Sequence, residues 1–259
     1  MAKNDWKKEL DKILKDKKSG SSIIADNIEN LFKILPEKEL YQTAKKILSV
    51  HSSMGAVINR VNLLCLEREG KIPKKIKNDG EKVFTEFWDE HFSKKRWITI
   101  SMSHWVTELL KRGKELDIIV GISYPQKEGL ITADILSRYH NIEVVEDCAL
   151  VSEVEDSDGI IVGADLITDE FIINKIGTHF LALAANYFHK PFYVISSGDK
   201  YLTSELSILF KVKTYRRGLR KVNVFESIPR RLISEIKLVS PPYIFETSEC
   251  VKKIIKKTK

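Results

Sequence analysis

The chain has 259 residues, of which 43% are hydrophobic, and it carries a formal net charge of +7. This length and composition fit one large globular domain or two smaller ones, and they exclude a disordered or fibrous chain. No apolar run approaches the roughly 20 residues that cross a bilayer. The amino terminus, MAKNDWKKEL, has no apolar signal core, so we expect a cytoplasmic protein without membrane contact.

The first 93 residues contain only helical patterns. Apolar side chains recur at helical spacing in five segments: 6–14, 23–35, 40–48, 54–69 and 76–92. Ser21 or Ser22 can cap the second helix, and Pro36 suits the first turn of the third. We therefore predict an amino-terminal helical domain over residues 1–93, whose apolar stripes pack against one another.

Strands begin at residue 97 and then alternate with helices. Short β-branched or apolar runs predict strands at five places: 97–101, 117–122, 142–145, 159–162 and 192–196. This alternation predicts a parallel sheet with right-handed crossovers, that is, a Rossmann-like α/β domain over residues 94–259. The pattern weakens after residue 200, where we expect a strand near 222–226, a short helix over 229–236 and an extended segment at 241–245.

Residues 160–178, IIVGADLITDEFIINKIGT, are the best candidate for a site. Asp165 would follow a buried strand, and after a loop Lys175 would stand at the amino end of a helix that starts near Asn174. Ligands bind at the carboxyl edge of open α/β sheets, and a helix amino terminus attracts anions. An ordinary strand–loop–helix with a solvated Asp and Lys explains the same pattern equally well.

Other polar residues follow the remaining strands: Ser101, Ser103, Tyr124 and Lys200. Together with Asn174 and Lys175 they could converge on a small phosphorylated molecule. The dinucleotide, P-loop and zinc-protease motifs are absent, so we expect no cofactor and no metal.

The three cysteines, Cys65, Cys148 and Cys250, are far apart and match neither a metal spacing nor a disulfide framework. We therefore expect each to be a small buried or surface residue rather than part of a site.

The positive charge is concentrated at residues 211–221 (KVKTYRRGLRK) and 251–259 (VKKIIKKTK). Such stretches fit a nucleic-acid or acidic partner, and also the solvated surface of a Lys- and Glu-rich chain. Neither stretch interleaves aromatic residues that would stack on bases. A nucleic-acid partner is therefore not favoured, and this reading rests on charge alone.

The GAD and NKIGT motifs at 163–165 and 174–178 resemble those of one protein superfamily. It unites the regulatory (α, β and δ) subunits of translation initiation factor 2B, methylthioribose-1-phosphate isomerase and archaeal ribose-1,5-bisphosphate isomerase. Further similar stretches lie along most of the chain: KSGSS at 18–22, ITISMS at 98–103, DCA at 147–149 and VFESIP at 224–229. The resemblance implies a helical amino-terminal domain, a Rossmann-like carboxy-terminal domain and dimerisation through the latter.

The resemblance also assigns residue roles. Asp165 corresponds to the catalytic Asp of the isomerases, and Asn174-Lys175 correspond to their phosphate-contacting pair. Ser101 stands in the position of their catalytic Cys, and Tyr124 stands where the family usually has Arg before Pro. An unactivated hydroxyl stays protonated near neutral pH, and a Tyr cannot replace a guanidinium fork on a phosphate.

The sequence leaves the enzyme question open and leans against catalysis. The first hypothesis is a non-catalytic, archaeal-type regulatory-subunit homologue that binds the α subunit of initiation factor 2 as a homodimer or higher oligomer. A nucleotide or sugar phosphate would be a candidate regulator, bound through Ser101, Ser103, Tyr124, Asn174, Lys175 and Lys200. The alternative is a sugar-phosphate aldose–ketose isomerase of the ribose-1,5-bisphosphate type, with Asp165 as general acid and base.

Overall fold

The computed structural model describes residues 5–16, 19–71, 79–240 and 246–257. Five α-helices precede the first strand of this part of the chain: α1 (Asp5–Lys15), α2 (Ser21–Ile34), α3 (Leu40–Val50), α4 (Gly55–Arg68) and α5 (Gly80–Glu90). In α2, Ile24, Ile28 and Leu31 are buried, because helical spacing places them on one face. The predicted amino-terminal helical region is confirmed.

The elements that follow are β1 (Arg96–Thr99), α6 (His104–Leu110), β2 (Asp117–Gly121), α7 (Gly129–Leu136), β3 (Asn141–Val145), β4 (Gly159–Val162), β5 (Leu166–Ile167), β6 (Phe171–Lys175), α8 (Thr178–Tyr187) and β7 (Phe192–Ser196). The remaining elements are α9 (Ser204–Ser207), β8 (Thr214–Arg217), β9 (Arg220–Asn223), β10 (Phe225–Pro229), β11 (Glu235–Leu238) and α10 (Glu249–Lys256).

Six strands form one parallel sheet in the order β3-β2-β1-β4-β7-β11. This is the doubly wound order, in which the chain direction across the sheet reverses between β1 and β4. All four residues of β4 are buried, as expected for a strand whose two faces are both covered. The predicted Rossmann-like α/β architecture is thus confirmed, and the carboxyl edge of its sheet, where open α/β folds bind ligands, lies beyond Thr99 and Val162.

A second, antiparallel sheet of three strands corrects the prediction for residues 166–175. The sequence predicts a loop there, followed by a helix from Asn174; instead β5, β6 and β10 pair, and α8 starts at Thr178. The physical reason is that Ile172 and Ile173 are buried by pairing with β10, a strand far along the chain. A separate hairpin joins β8 and β9.

The described residues group into two compact units, which do not follow the predicted division at residue 93. One comprises those within 1–76, 199–211 and 242–259, and the other those within 77–198 and 212–241. Helix α5 belongs with the sheet because Phe84 and Phe87 lie in the same buried cluster as Trp97 of β1. Helix α10 belongs with the amino-terminal helices because it packs on α3 and α4.

Two further expectations concern the last part of the chain. The helix predicted at 229–236 is instead a short 3-10 turn, Arg230–Leu232, followed by β11, which pairs with β7 at the sheet edge. The extended segment predicted at 241–245 lies outside the described residues. In the part of the chain that the structure describes, no helix is long and apolar enough to cross a membrane.

Candidate functional site

Ser101 lies just beyond β1, at the reversal point of the sheet. Its φ of 73° is in the left-handed region, which a residue with a side chain occupies only when its surroundings hold it there. Its backbone N–H donates to Ser123 Oγ at 2.7 Å, and its carbonyl accepts from Thr132 Oγ1 at 3.0 Å. These bonds fix the direction of its side chain, whose Oγ donates to Glu128 Oε1 at 3.1 Å.

The same Glu128 oxygen forms an ion pair with Lys175, the last residue of β6. The Lys175 side chain is fully buried, whereas that of Glu128 is 16% exposed. The ammonium also lies 3.4 Å from Gln126 Oε1 and 5.7 Å from the centre of the Phe225 ring. A buried cation needs such a countercharge. The carboxylate of Glu128 therefore already balances the positive charge of Lys175 inside the protein.

The amino terminus of α8, predicted to be an anion site, already holds an anion of the chain itself. Glu226 Oε1 accepts from the backbone N–H of Gly177 at 2.7 Å and of His179 at 2.8 Å. Gly177 has a φ of 100°, which favours glycine at this turn. The preceding Asn174 is buried and donates from Nδ2 to Thr178 Oγ1 at 3.2 Å.

Asp165 lies two residues beyond Gly163, at the end of β4, as predicted. It is half-buried, and its backbone N–H donates to Ile173 O at 2.8 Å. Position 163 favours glycine because of close packing and not because of its backbone conformation. A Cβ there would come within 2.6 Å of Ser103 Oγ. Since β1 and β4 are neighbours, Ser101 and Asp165 follow adjacent strands of the sheet.

The loop after β2 is held by a carboxylate. Asp147 accepts from the backbone N–H of Ser123 through Oδ1 and from that of Tyr124 through Oδ2, both at 2.6 Å. The Tyr124–Pro125 peptide bond is cis, and the Tyr124 side chain is 42% exposed, with Lys127 Nζ 5.2 Å from its ring centre. Tyr124 therefore presents an aromatic face, with one cation beside it, where the resemblance expects an arginine.

A cavity of about 720 Å³ adjoins this loop. Its lining includes the charged residues Lys127 and Asp147, and aromatic and aliphatic side chains contribute most of the rest: Tyr124, Pro125, Val151, Ile176, Phe180, Tyr215 and Val222. The cavity is thus better suited to an apolar or aromatic group than to a multiply charged one.

The structure brings most of the predicted site residues together at one edge of the sheet, in the unit formed by residues 77–198 and 212–241. These are Ser101, Ser103, Tyr124, Asp165, Asn174 and Lys175. Lys200 lies in a 3-10 turn, Gly198–Lys200, and groups with the helical unit. In the described ranges, no three His, Cys, Asp or Glu side chains cluster as a metal ion would require.

Two acidic residues that organise this edge were not predicted. Glu128 comes just before α7 and carries no motif, so only the fold shows that it meets Lys175. Glu226 lies within the VFESIP stretch that supports the resemblance, and this is the one sequence signal that could have pointed to it.

The model of the initiation factor 2 subunit family (IF-2B) matches residues 8–218. The chain belongs to this family. A Pyrococcus furiosus protein named as eIF-2B subunit 2-like is 29% identical over 264 residues, which cover 90% of this chain and 95% of that protein. The ribose 1,5-bisphosphate isomerase of Thermococcus kodakarensis is 34% identical over 122 residues, covering 46% of this chain and 35% of the enzyme.

Solved structures of this IF-2B chain's relatives share its fold. The Pyrococcus horikoshii translation initiation factor eIF-2B superposes with a TM-score of 0.69 at 23% identity, covering 91% of this chain and 95% of that one. A chain of the tetrameric eIF2B-beta2-delta2 complex from C. thermophilum gives a TM-score of 0.67 at 11% identity, covering 98% and 94%. At these identities the likeness establishes the fold alone.

Proposed function

We propose that this IF-2B chain is a non-catalytic, regulatory-subunit-like protein that binds initiation factor 2 through its α subunit. The match to the eIF-2B subunit 2-like protein of P. furiosus supports this, because it extends over nearly the whole of both chains. The chain would act as a homodimer or higher oligomer, as the relative found in a beta2-delta2 tetramer does.

The main support for the proposal is that several groups which an isomerase would use already form hydrogen bonds or ion pairs with other residues of the chain. The residue in the thiol position, Ser101, donates its hydroxyl to Glu128, and the buried Lys175 is paired with the same carboxylate. Glu226 occupies the amino terminus of α8. A sugar phosphate would have to displace two internal carboxylates to reach these groups.

The proposal is tested by two measurements on the purified full chain. We expect no ketose from ribose-1,5-bisphosphate or methylthioribose-1-phosphate by NMR, and a saturable calorimetric signal with the initiation factor 2 α subunit. Turnover of about 1 per second, within the ordinary enzyme range, would overturn the non-catalytic assignment. An absence of both turnover and binding would overturn the assigned partner.

The 720 Å³ cavity is the proposed site of a small regulator, a nucleotide rather than a sugar phosphate, because the uncharged base of a nucleotide suits its largely apolar lining. Its aromatic lining favours a ligand with a flat ring, and Lys127 supplies one cation at the loop that carries Tyr124. We expect AMP to bind in a calorimetric titration and Phe180→Ala to weaken it at least fivefold. Tyr187→Ala is the matched control, because Tyr187 is also an exposed aromatic residue of α8 but does not line the cavity. No heat from millimolar AMP would contradict a regulatory site here.

A sugar-phosphate isomerase is the second candidate, because the chain is 34% identical to the T. kodakarensis enzyme over 122 residues. Asp165 follows a strand adjacent to that of Ser101, where a general acid and base could act. This function predicts turnover by the natural chain, abolished in Asp165→Asn and retained in the nearby Asp169→Asn. Activity that survives Asp165→Asn would exclude this mechanism.

A further inference from the structure

One face of α4 holds the amino terminus of α10. Asn62 Oδ1 accepts from the backbone N–H of Ser248 at 2.8 Å, and Glu69 Oε1 accepts from that of Cys250 at 3.0 Å. Cys65 lies between Asn62 and Glu69 in sequence, at spacings of three and four residues, and therefore on the same helical face. The helix packing thus brings Cys65 to the first turn of α10.

Cys65 and Cys250 therefore lie against each other where α4 packs on α10. Cys65 is fully buried and Cys250 is 9% exposed, at the second position of α10. The neighbouring Cys65 thiol lowers the pKa of Cys250, and the amino terminus of α10 further favours the Cys250 thiolate. The neighbouring Cys250 thiol, together with burial, raises the pKa of Cys65. Cys250 is therefore the nucleophile of the pair, and Cys65 is its protonated neighbour.

We propose that Cys65 and Cys250 are a covalent modification site at which a low-molecular-weight disulfide installs an intramolecular disulfide bond. The Cys250 thiolate attacks one sulfur of the oxidant and expels one thiolate, which leaves a mixed disulfide on Cys250. Cys65 then loses its proton, attacks the Cys250 sulfur and expels the second thiolate. Two protein thiols are oxidised, and one small disulfide is reduced to two thiols.

The bond would fasten α10 to α4 and close a loop that contains most of the chain. Long loops gain the most from such a constraint, because the unfolded chain loses the most freedom. We expect the oxidised protein to melt roughly 5–10 °C higher than the reduced protein. Sequence reasoning missed this pair because Cys65 and Cys250 are 185 positions apart in the chain and carry no motif.

The test uses the full chain carrying Cys148→Ser, which removes the exposed third thiol. The reduced protein is incubated under native conditions with glutathione disulfide, alkylated and digested with trypsin without reduction. We expect loss of both alkylatable thiols, and a linked product of peptides 61–68 and 238–252 that separates on reduction. Two thiols that remain free after prolonged incubation, or a stable glutathione adduct at Cys250 without the linked product, would overturn the proposal.

Melting temperature supplies the second readout. Glutathione disulfide should raise it in Cys148→Ser, and should leave it unchanged when Cys250→Ser is added, since Ser is nearly isosteric. The linked peptide does not depend on the second variant, so the test stands even if that variant folds poorly. An equal rise in both proteins would contradict a Cys65–Cys250 bond. Neither readout involves initiation factor 2 or an isomerase substrate, so the outcome is independent of the proposed function.

Discussion

The buried ammonium of Lys175 at the end of β6 is paired with the carboxylate of Glu128 at the start of α7. The pair joins the antiparallel sheet to the start of α7, and Ser101 shares its carboxylate. The resemblance implies that Lys175 binds a ligand phosphate, whereas in the structure Lys175 forms an ion pair with Glu128. The contribution of this ion pair can be measured as a change in the free energy of unfolding.

Glu128→Gln should lower the free energy of unfolding by about 3–5 kcal/mol, because it leaves a buried cation without its countercharge. Urea denaturation provides the measurement, and adding Lys175→Met should recover part of the loss. Glu86→Gln, which removes one partner of an exposed ion pair with Lys82, should change stability by no more than about 0.5 kcal/mol. A loss below about 1 kcal/mol in Glu128→Gln would show that the pair is dispensable.

Glu226→Ala should expose the amino terminus of α8 to external anions. Losing the carboxylate from Gly177 and His179 should cost about 1–2 kcal/mol, as for a lost helix cap. Added phosphate should then raise the melting temperature of Glu226→Ala more than that of the natural chain. Glu155→Ala, at an exposed position, is the control. Identical phosphate responses in all three proteins would argue against an anion site beneath Glu226.

Asp147→Asn should loosen the loop after β2. The carboxylate accepts two backbone N–H bonds, and the amide nitrogen of Asn would face one of those donors. We expect a loss of about 1.5–3 kcal/mol, with faster hydrogen exchange at Ser123 and Tyr124. The exposed substitution Asp156→Asn should leave both amides protected. Unchanged exchange in Asp147→Asn would mean that the loop is held by other contacts.

Ser101→Cys should not create an isomerase. It introduces the thiol that the resemblance assigns to the isomerases at this position, but Lys175 remains paired with Glu128, and Glu226 remains on α8. We expect ketose formation no faster than background by NMR, with a ribose-1,5-bisphosphate isomerase assayed in parallel. Turnover near 1 per second would mean that the thiol alone separates this chain from the enzymes.

Much of the fold could be predicted, because its determinants are local. The apolar runs at β1 and β4 and the helical stripes before residue 93 are visible in the sequence, and Asp165 stands at the expected sheet edge. The strands β5 and β6 could not be recognised, because Ile172 and Ile173 are buried by a partner strand far along the chain.

The same limit applies to the candidate site. The resemblance supplied Ser101, Asn174 and Lys175, and the structure adds what holds them. Glu128 and Glu226 act across long sequence separations, so neither spacing nor composition marks them. A pattern can thus identify residues that a relative uses, whereas the three-dimensional contacts decide whether those residues are free to be used.

The pairing of β10 with β6 has a consequence for how this edge folds. Glu226 stands opposite Asn174, and Phe225 stands opposite Lys175. Because side chains alternate along a strand, a slip of one residue would turn Glu226 away from α8 and remove the aromatic ring from Lys175. Correct strand alignment, helix capping and burial of the lysine must therefore be achieved together. This edge of the protein should behave as a single cooperative folding unit. A misaligned β10 would lose the strand pairing, the contact of Glu226 with α8 and the cover over Lys175 together.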